Sequence, residues 1–143
     1  MTTLIIDTGM DIVGIFSVED DRYTSYRGDA IASAITPIES ADEVVTYNGS
    51  VHDGWSDLVE LEKLSRKPNG LSFKGTHADM RKICWGDRIW GCSLTKTYAK
   101  HFASCPTFSD THEGSNERDV YMTFKLWELW KQGELKIIDG HEV

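Results

Sequence analysis

Three short runs of apolar or β-branched residues within the first 26 residues constrain the fold more than any other feature. The run 4–6 stops at the turn signal Asp7-Thr8-Gly9, the run 12–18 follows it, and the run 22–26 comes after the polar turn 19–21. Runs of this length and composition are typical of β-strands joined by tight turns. We therefore predict a three-stranded antiparallel meander at the start of a sheet.

The rest of the chain alternates between helix-like and strand-like segments. Helices are predicted over 30–35 (disturbed by Pro37), 55–64, 77–84 and 93–101, and in a final stretch that includes 120–130 and ends at Gly133. Strands are predicted over 43–47, 71–73 and 134–138. The longest loop is predicted over 104–115. A meander followed by such alternation predicts an α/β domain with a mixed sheet flanked by helices.

Composition narrows the class of protein. The chain has 143 residues, 40% of them apolar, which predicts a single packed domain over 1–143. The start lacks a basic region, no span approaches the roughly 20 apolar residues that cross a bilayer, and the 3 cysteines suggest neither a disulfide framework nor a zinc site. We therefore expect a cytoplasmic protein with no membrane partner. The net charge of −8 disfavours duplex binding unless bound cations offset the carboxylates.

Three aspartates stand next to predicted core elements. Asp7 follows the first strand, Asp53 follows the fourth strand and its Asn-Gly turn, and Asp119 stands at the start of the final helix. Each residue alone is common in turns and helix caps. Together, three carboxylates at the ends of core elements could converge into an oxygen-ligand site for Mg²⁺ or Mn²⁺.

The segments around these aspartates resemble those of DEDD-type 3′–5′ exonucleases, especially a stand-alone bacterial branch. The similar stretches are Leu4-Ile5-Ile6-Asp7, then Val44 to Asp53 (VVTYNGSVHD), Arg88 to Thr97 (RIWGCSLTKT) and Asn116 to Trp127 (NERDVYMTFKLW). The resemblance implies an RNase H-like fold and hydrolysis of phosphodiesters at a site with two Mg²⁺ or Mn²⁺ ions. It assigns Asp7, Asp53 and Asp119 as metal ligands and catalytic residues.

Two positions depart from the pattern of that family. The glutamate two residues after the first aspartate is replaced by Gly9, and the tyrosine expected four residues before the last aspartate is Ser115. His112 is the nearest imidazole to Asp119, although seven residues of spacing would require an irregular loop to bring it to the site. Asp11 and Asp79 are candidates to replace the lost glutamate, and Asp79 is also a plausible first residue of a helix.

Two functional classes follow from the resemblance. The first is a metal-dependent 3′–5′ exonuclease that acts on ends of single-stranded DNA or RNA, with Asn48, Trp85 and Arg88 as candidate nucleic-acid contacts and Trp85 expected at the surface. The second is a degenerate pseudo-nuclease that binds nucleic acid or a protein partner without cleavage. The three remaining acids favour the enzyme, whereas the losses at Gly9 and Ser115 favour the binding module.

Overall fold

The computed structural model describes residues 1–9, 11–48, 57–65, 70–88 and 91–138. Within these residues, five strands form one mixed sheet in the order β3-β2-β1-β4-β5. The strands are β1 (Thr3–Gly9), β2 (Ile12–Ser17), β3 (Arg22–Arg27), β4 (Glu43–Thr46) and β5 (Thr76–Asp79). The predicted α/β class and mixed sheet are thus confirmed.

The first three strands form the predicted antiparallel meander, but β1 is longer than predicted. Its pairing with β2 continues past Asp7, which lies opposite Gly14, to Gly9, which lies opposite Ile12. Asp7 is therefore inside a strand and not at its end, because the pairing between β1 and β2 continues beyond the apolar run 4–6. On the other edge of β1, parallel pairing with β4 stops at Ile5 and Val45.

Helices cover both faces of the sheet. They are α1 (Ala32–Ser40, preceded by a 3-10 turn over Gly28–Ile31), α2 (Asp57–Ser65), α3 (Met80–Trp85), α4 (Leu94–Ala99) and α5 (His112–Lys131). Alternate residues of β1 divide between two buried clusters: Leu4 and Ile6 pack with α1 and α2, and Ile5 packs with α5. No helix among the described residues is long and apolar enough to cross a membrane.

The prediction that Pro37 interrupts the first helix is wrong. Pro37 lies inside α1, which continues to Ser40. A proline in a helix interior costs about 3 kcal/mol, partly through a lost hydrogen bond. Burial of Ala34, Ile35 and Ile38 against the sheet offsets that cost, since this helical stripe is removed from water.

The segment 71–85 also differs from prediction. Residues 71–73 form no strand, and His77 to Asp79 belong to β5 rather than to a helix. The segment that pairs in parallel with β4 begins at Thr76, so the helix starts only at Met80. Nor do residues 134–138 form a strand, although the Ile138 amide donates to the Cys84 carbonyl.

The last helix begins earlier than predicted. Residue 112 is already helical, because the side-chain oxygen of Thr111 caps the helix by accepting from the Gly114 amide at 3.0 Å. The predicted loop therefore ends before His112. The predicted terminal glycine is confirmed, since Gly133 follows the C-cap with a positive φ of 76°.

Candidate active site

A cavity opens where β1 and β4 separate. Their pairing ends at Ile5 and Val45, so the next residues of β1 turn their free backbone groups toward α2. Crevices at the carboxyl ends of neighbouring parallel strands are common binding sites in α/β proteins. The cavity measures about 430 Å³, and we call it the main cavity.

The main cavity has an acidic wall and a largely neutral wall. The acidic wall carries Asp7 from β1, Asp57 from α2 and Asp119 from α5. The neutral wall includes Tyr47, whose hydroxyl donates to the Cys92 carbonyl at 2.5 Å and lies 2.6 Å from the hydroxyl of Thr97. These bonds tie the end of β4 to α4, so the neutral wall is well fixed.

Asp57 is the most unusual residue in this cavity. It is only 2% exposed, and its Oδ1 accepts from the backbone amide of Thr8 at 3.3 Å and from the hydroxyl of Thr8 at 2.8 Å. Its Oδ2 is buried and has no hydrogen-bond partner; among the described residues no other buried side-chain oxygen or nitrogen shares this state. A buried polar atom without a partner is costly, so it points to a ligand or a proton.

Burial raises the pKa of all three acids, and for Asp7 and Asp57 the charges of neighbouring acids add to this rise. Burial, opposed by the hydrogen bonds from Thr8, raises the pKa of Asp57 to about 7. Burial and the charges of Asp57 and Asp119 raise the pKa of Asp7 well above its usual range. Burial also raises the pKa of Asp119, although the neighbouring Arg118 opposes this rise. Such clustering of carboxylates is common at functional sites.

Asn116 and Arg118 hold the other two acids. The amide nitrogen of the Asn116 side chain donates to Asp7 at both its backbone oxygen (3.1 Å) and its Oδ2 (3.2 Å). The side-chain oxygen of Asn116 accepts from the Tyr23 hydroxyl at 2.7 Å. Nε and Nη2 of Arg118 lie 3.4 and 3.3 Å from Oδ1 of Asp119.

A smaller cavity of about 110 Å³, the side cavity, adjoins the same acids. It is lined by Asp7, Thr8, Gly9, His112, Ser115, Asn116 and Asp119. His112 and Asp119 lie on one face of α5, because seven residues make nearly two helical turns. The helix itself thus brings His112 to this cavity, and the expectation that only an irregular loop could do so is wrong.

Gly9 leaves unfilled space beside the side cavity. A Cβ at this position would meet no atom within 4 Å, and Gly9 does not have a positive φ. Because strand residues two apart share a face, a side chain here would point to the same side as Asp7. A glutamate could therefore be introduced at position 9 without strain.

The other predicted acids have different positions. Asp79 is 5% exposed and caps α3, with its Oδ1 accepting from the amides of Asn48 (2.7 Å), Arg81 (3.0 Å) and Lys82 (3.5 Å). Its charge contributes to the raised pKa of Asp57. Asp11 lies exposed in the turn between β1 and β2. Asp53 lies outside the described residues.

The predicted nucleic-acid contacts are only partly accessible. Asn48 lines the main cavity, and its side-chain oxygen accepts from Nε of Arg81 at 3.0 Å. The prediction that Trp85 offers a ring at the surface is wrong: it is 2% exposed, its indole nitrogen donates to Thr97, and the Arg88 guanidinium lies 5.0 Å from its ring centre. Trp85 and Arg88 thus stabilise the neutral wall.

Asp57 is the residue of the main cavity that sequence reasoning missed. Its signal was its place at the start of an apolar helical stripe that follows the fourth strand. An aspartate there is usually an N-terminal helix residue, which hides any further role. The burial of Oδ2 distinguishes an acid of the cavity from an ordinary first residue of a helix, and no sequence pattern shows this burial.

The donor set suits an ion held by few protein ligands. No three His, Cys, Asp or Glu side chains in the described ranges lie close enough to hold a metal ion together. Mg²⁺ usually keeps several waters and binds one or two carboxylates together with substrate phosphates. The unpartnered oxygen of Asp57 is the donor that such an ion would use first.

Comparisons with protein-family models, with curated proteins and with solved structures find no match for this chain.

Proposed function

We propose that this protein is an RNase H-like, metal-dependent 3′–5′ exonuclease acting on single-stranded DNA or RNA ends. The observation that carries the proposal is the buried, unpartnered Oδ2 of Asp57 in a cavity shared with Asp7 and Asp119. The strand order, with an antiparallel meander followed by two parallel strands, agrees with an RNase H-like fold.

Each residue of the site would have its own role in the reaction. Asp57 and Asp7 would hold Mg²⁺ or Mn²⁺, and Asp119 would face the substrate across the cavity. A bound ion would activate water and stabilise charge on the phosphate. The imidazole of His112, exposed at the side cavity, would accept the proton of the attacking water. The main cavity would take the end of a single strand.

Cleavage of labelled strands tests this proposal. Incubation of 5′-labelled single-stranded DNA or RNA with Mg²⁺ or Mn²⁺ should give progressive shortening from the 3′ end, and EDTA should stop it. Asp57→Asn and Asp119→Asn should each lower the rate roughly 100-fold or more, since loss of outer-shell partners alone costs 10- to 100-fold. Asp20→Asn, in the exposed β2–β3 turn, is the matched control and should cleave normally.

Cleavage that survives both site variants would reveal a contaminating enzyme or a different site.

A second function is favoured by two observations: Gly9 removes one acid, and no three described donors meet around one ion. In that case the protein would be a pseudo-nuclease, which would bind a single strand or a protein partner without shortening any strand, with or without metal.

A further inference from the structure

Arg81 is a buried charged residue of the main cavity. It lines the cavity together with Tyr47 and Asn48, yet only 4% of its surface is exposed. A buried guanidinium is costly unless hydrogen bonds and an opposite charge compensate it. Within the described ranges the side chain of Arg81 forms no ion pair, so its guanidinium contacts no carboxylate there. The charge of Arg81 is therefore available to an anion.

Three neutral oxygens fix this guanidinium. Its Nε donates to the side-chain oxygen of Asn48 at 3.0 Å, and its Nη1 donates to the carbonyl oxygens of Gly86, at 3.2 Å, and of Arg88. Asn48 has a positive φ of 70°, and its backbone amide donates to Oδ1 of Asp79 at 2.7 Å. The segment after β4 and the loop after α3 thus orient Arg81 before any ligand binds.

Nη2 of Arg81 has no acceptor. Every nitrogen of a guanidinium is a donor and none is an acceptor. In the part of the chain that the structure describes, Nη2 makes no hydrogen bond, and unlike Oδ2 of Asp57 it is not a buried atom. Because Arg81 lines the main cavity and has little exposed surface, the N–H groups of Nη2 are available to a ligand in that cavity.

We propose that Arg81 is the phosphate-binding residue of the main cavity and that the phosphate belongs to a nucleotide. The inference rests on the proposed function, because a strand end supplies that phosphate. Guanidinium groups form strong, charge-assisted hydrogen bonds with phosphate oxygens. Asp57 brings a buried oxygen without a donor to the same cavity. The cavity thus combines a group suited to a cation with a group suited to an anion, and a phosphate that carries a divalent cation would satisfy both.

Two ligands that differ only in a phosphate test this inference. Thymidine 5′-monophosphate and thymidine are titrated in EDTA at pH 6, where a pKa of about 7 keeps Asp57 largely protonated and reduces the repulsion of an anion. The unmodified protein should bind the monophosphate roughly 10-fold more tightly, as expected for a hydrogen bond to a charged group. Inorganic phosphate should bind more weakly than the monophosphate. Equal binding of these two anions would overturn the assignment to a nucleotide.

Variants of Arg81 separate ligand binding from a structural role. Arg81→Gln should bind thymidine and its monophosphate with similar affinity. Arg81→Lys keeps the charge but loses the planar fork, so it should show an intermediate preference. The preference is a ratio of two affinities in one protein, and partial unfolding would lower both affinities alike. Arg22→Gln, which changes an exposed arginine at the start of β3, is the control and should keep the full preference.

NMR of the unmodified protein gives a test that does not require any variant to fold. The Nε–H of Arg81 is hydrogen-bonded to Asn48 inside the protein, so it should exchange slowly enough to be observed. Its signal should shift when the monophosphate is added and should not shift with thymidine. A signal that neither ligand moves would overturn the inference.

The failure of this inference differs from the failure of the proposed function. Equal affinity for thymidine and its monophosphate, or a preference that persists in Arg81→Gln, would overturn the role of Arg81 and leave the proposed nuclease intact. A preference that depends on Arg81, in a protein that shortens no strand with Mg²⁺ or Mn²⁺, would support this inference and refute the nuclease.

Discussion

At the scale of single residues, Asp57 sets the chemistry of the main cavity. Its Oδ1 is fixed by two donors of Thr8, while its Oδ2 faces no partner. A carboxylate in this state is ionised only at a cost, which is why its pKa rises to about 7. A cation that bound to Oδ2 would offset this cost, as the proposed function requires.

The raised pKa of Asp57 predicts how stability depends on pH. The acid is more basic in the folded than in the unfolded chain, so its contribution to stability is full below about pH 4 and is lost as pH rises through about 7. In EDTA, the free energy of unfolding should fall by about 2 to 3 kcal/mol between about pH 5 and pH 8 from this group alone. Urea unfolding measures it.

Asp57→Asn should remove the share of the pH dependence that residue 57 contributes, because the amide does not ionise and still accepts from Thr8. The raised pKa values of Asp7 and Asp119 leave the remainder. The absolute stability is less informative, since the buried amide nitrogen brings an unsatisfied donor of its own. Asp20→Asn, which removes an exposed carboxylate, should keep the slope of the unmodified protein. An unchanged slope in Asp57→Asn would show that the pKa of Asp57 is not raised.

At the scale of elements, the site depends on how closely α5 approaches β2. Gly14 of β2 lies opposite Asp7, and a Cβ on it would be 1.7 Å from the Asn116 side-chain oxygen. Asn116 can therefore reach across to Asp7 only because residue 14 has no side chain. The strand provides the space, and the helix provides the residue that orients the acid.

Gly14→Ala should therefore displace Asn116 and disturb Asp7. We expect a loss of about 1 to 3 kcal/mol in unfolding free energy, from overpacking and from the broken hydrogen bonds. In the background of Asn116→Ala most of this penalty should disappear, because the clashing atom is gone, although the Tyr23 ring at 3.0 Å retains part of it. Gly9→Ala, on the neighbouring strand β1, is the matched control, since a Cβ there meets nothing within 4 Å. Equal penalties for Gly14→Ala in both backgrounds would contradict this account.

The sequence predicts those elements whose signals are local. The meander, the fourth strand, the Ser93 cap and the terminal Gly133 follow from turn residues and apolar runs, and all are present. The errors arise where tertiary contacts prevail over local signals. Pro37 stays helical because its neighbours are buried, and His77 is in a strand because β4 offers a partner. The same holds for the site. Local sequence signals predict Asp7 and Asp119, whereas Asp57 is recognised only from its burial.

At the scale of the whole molecule, metal binding and folding should be linked. A ligand that binds only the folded chain stabilises it by about 2.7 kcal/mol at 100 times its Kd. Because Asp57 and Asp7 must lose protons before they bind an ion, the affinity for Mn²⁺ should increase from about pH 6 to pH 8. The rise in Tm on addition of Mn²⁺ should accordingly be larger at the higher pH.

Thermal unfolding in Mn²⁺ and in EDTA at both pH values measures this linkage. Asp57→Asn should show no rise in Tm that depends on Mn²⁺, whereas Asp20→Asn should behave as the unmodified protein does. A rise of equal size in Asp57→Asn would place the stabilising ion elsewhere on this acidic chain.

The hydrogen bond between Asn116 and Asp7 joins residues 109 positions apart in the chain. Ribosomes add roughly 5 to 20 residues per second, so roughly 5 to 20 s pass between the synthesis of the two residues. A nascent chain can thus complete its meander and pair β4 while the acidic wall still lacks α5. Because Asp119 is made last of the three acids, the acidic wall becomes complete only after the sheet that carries Asp7 has been synthesised.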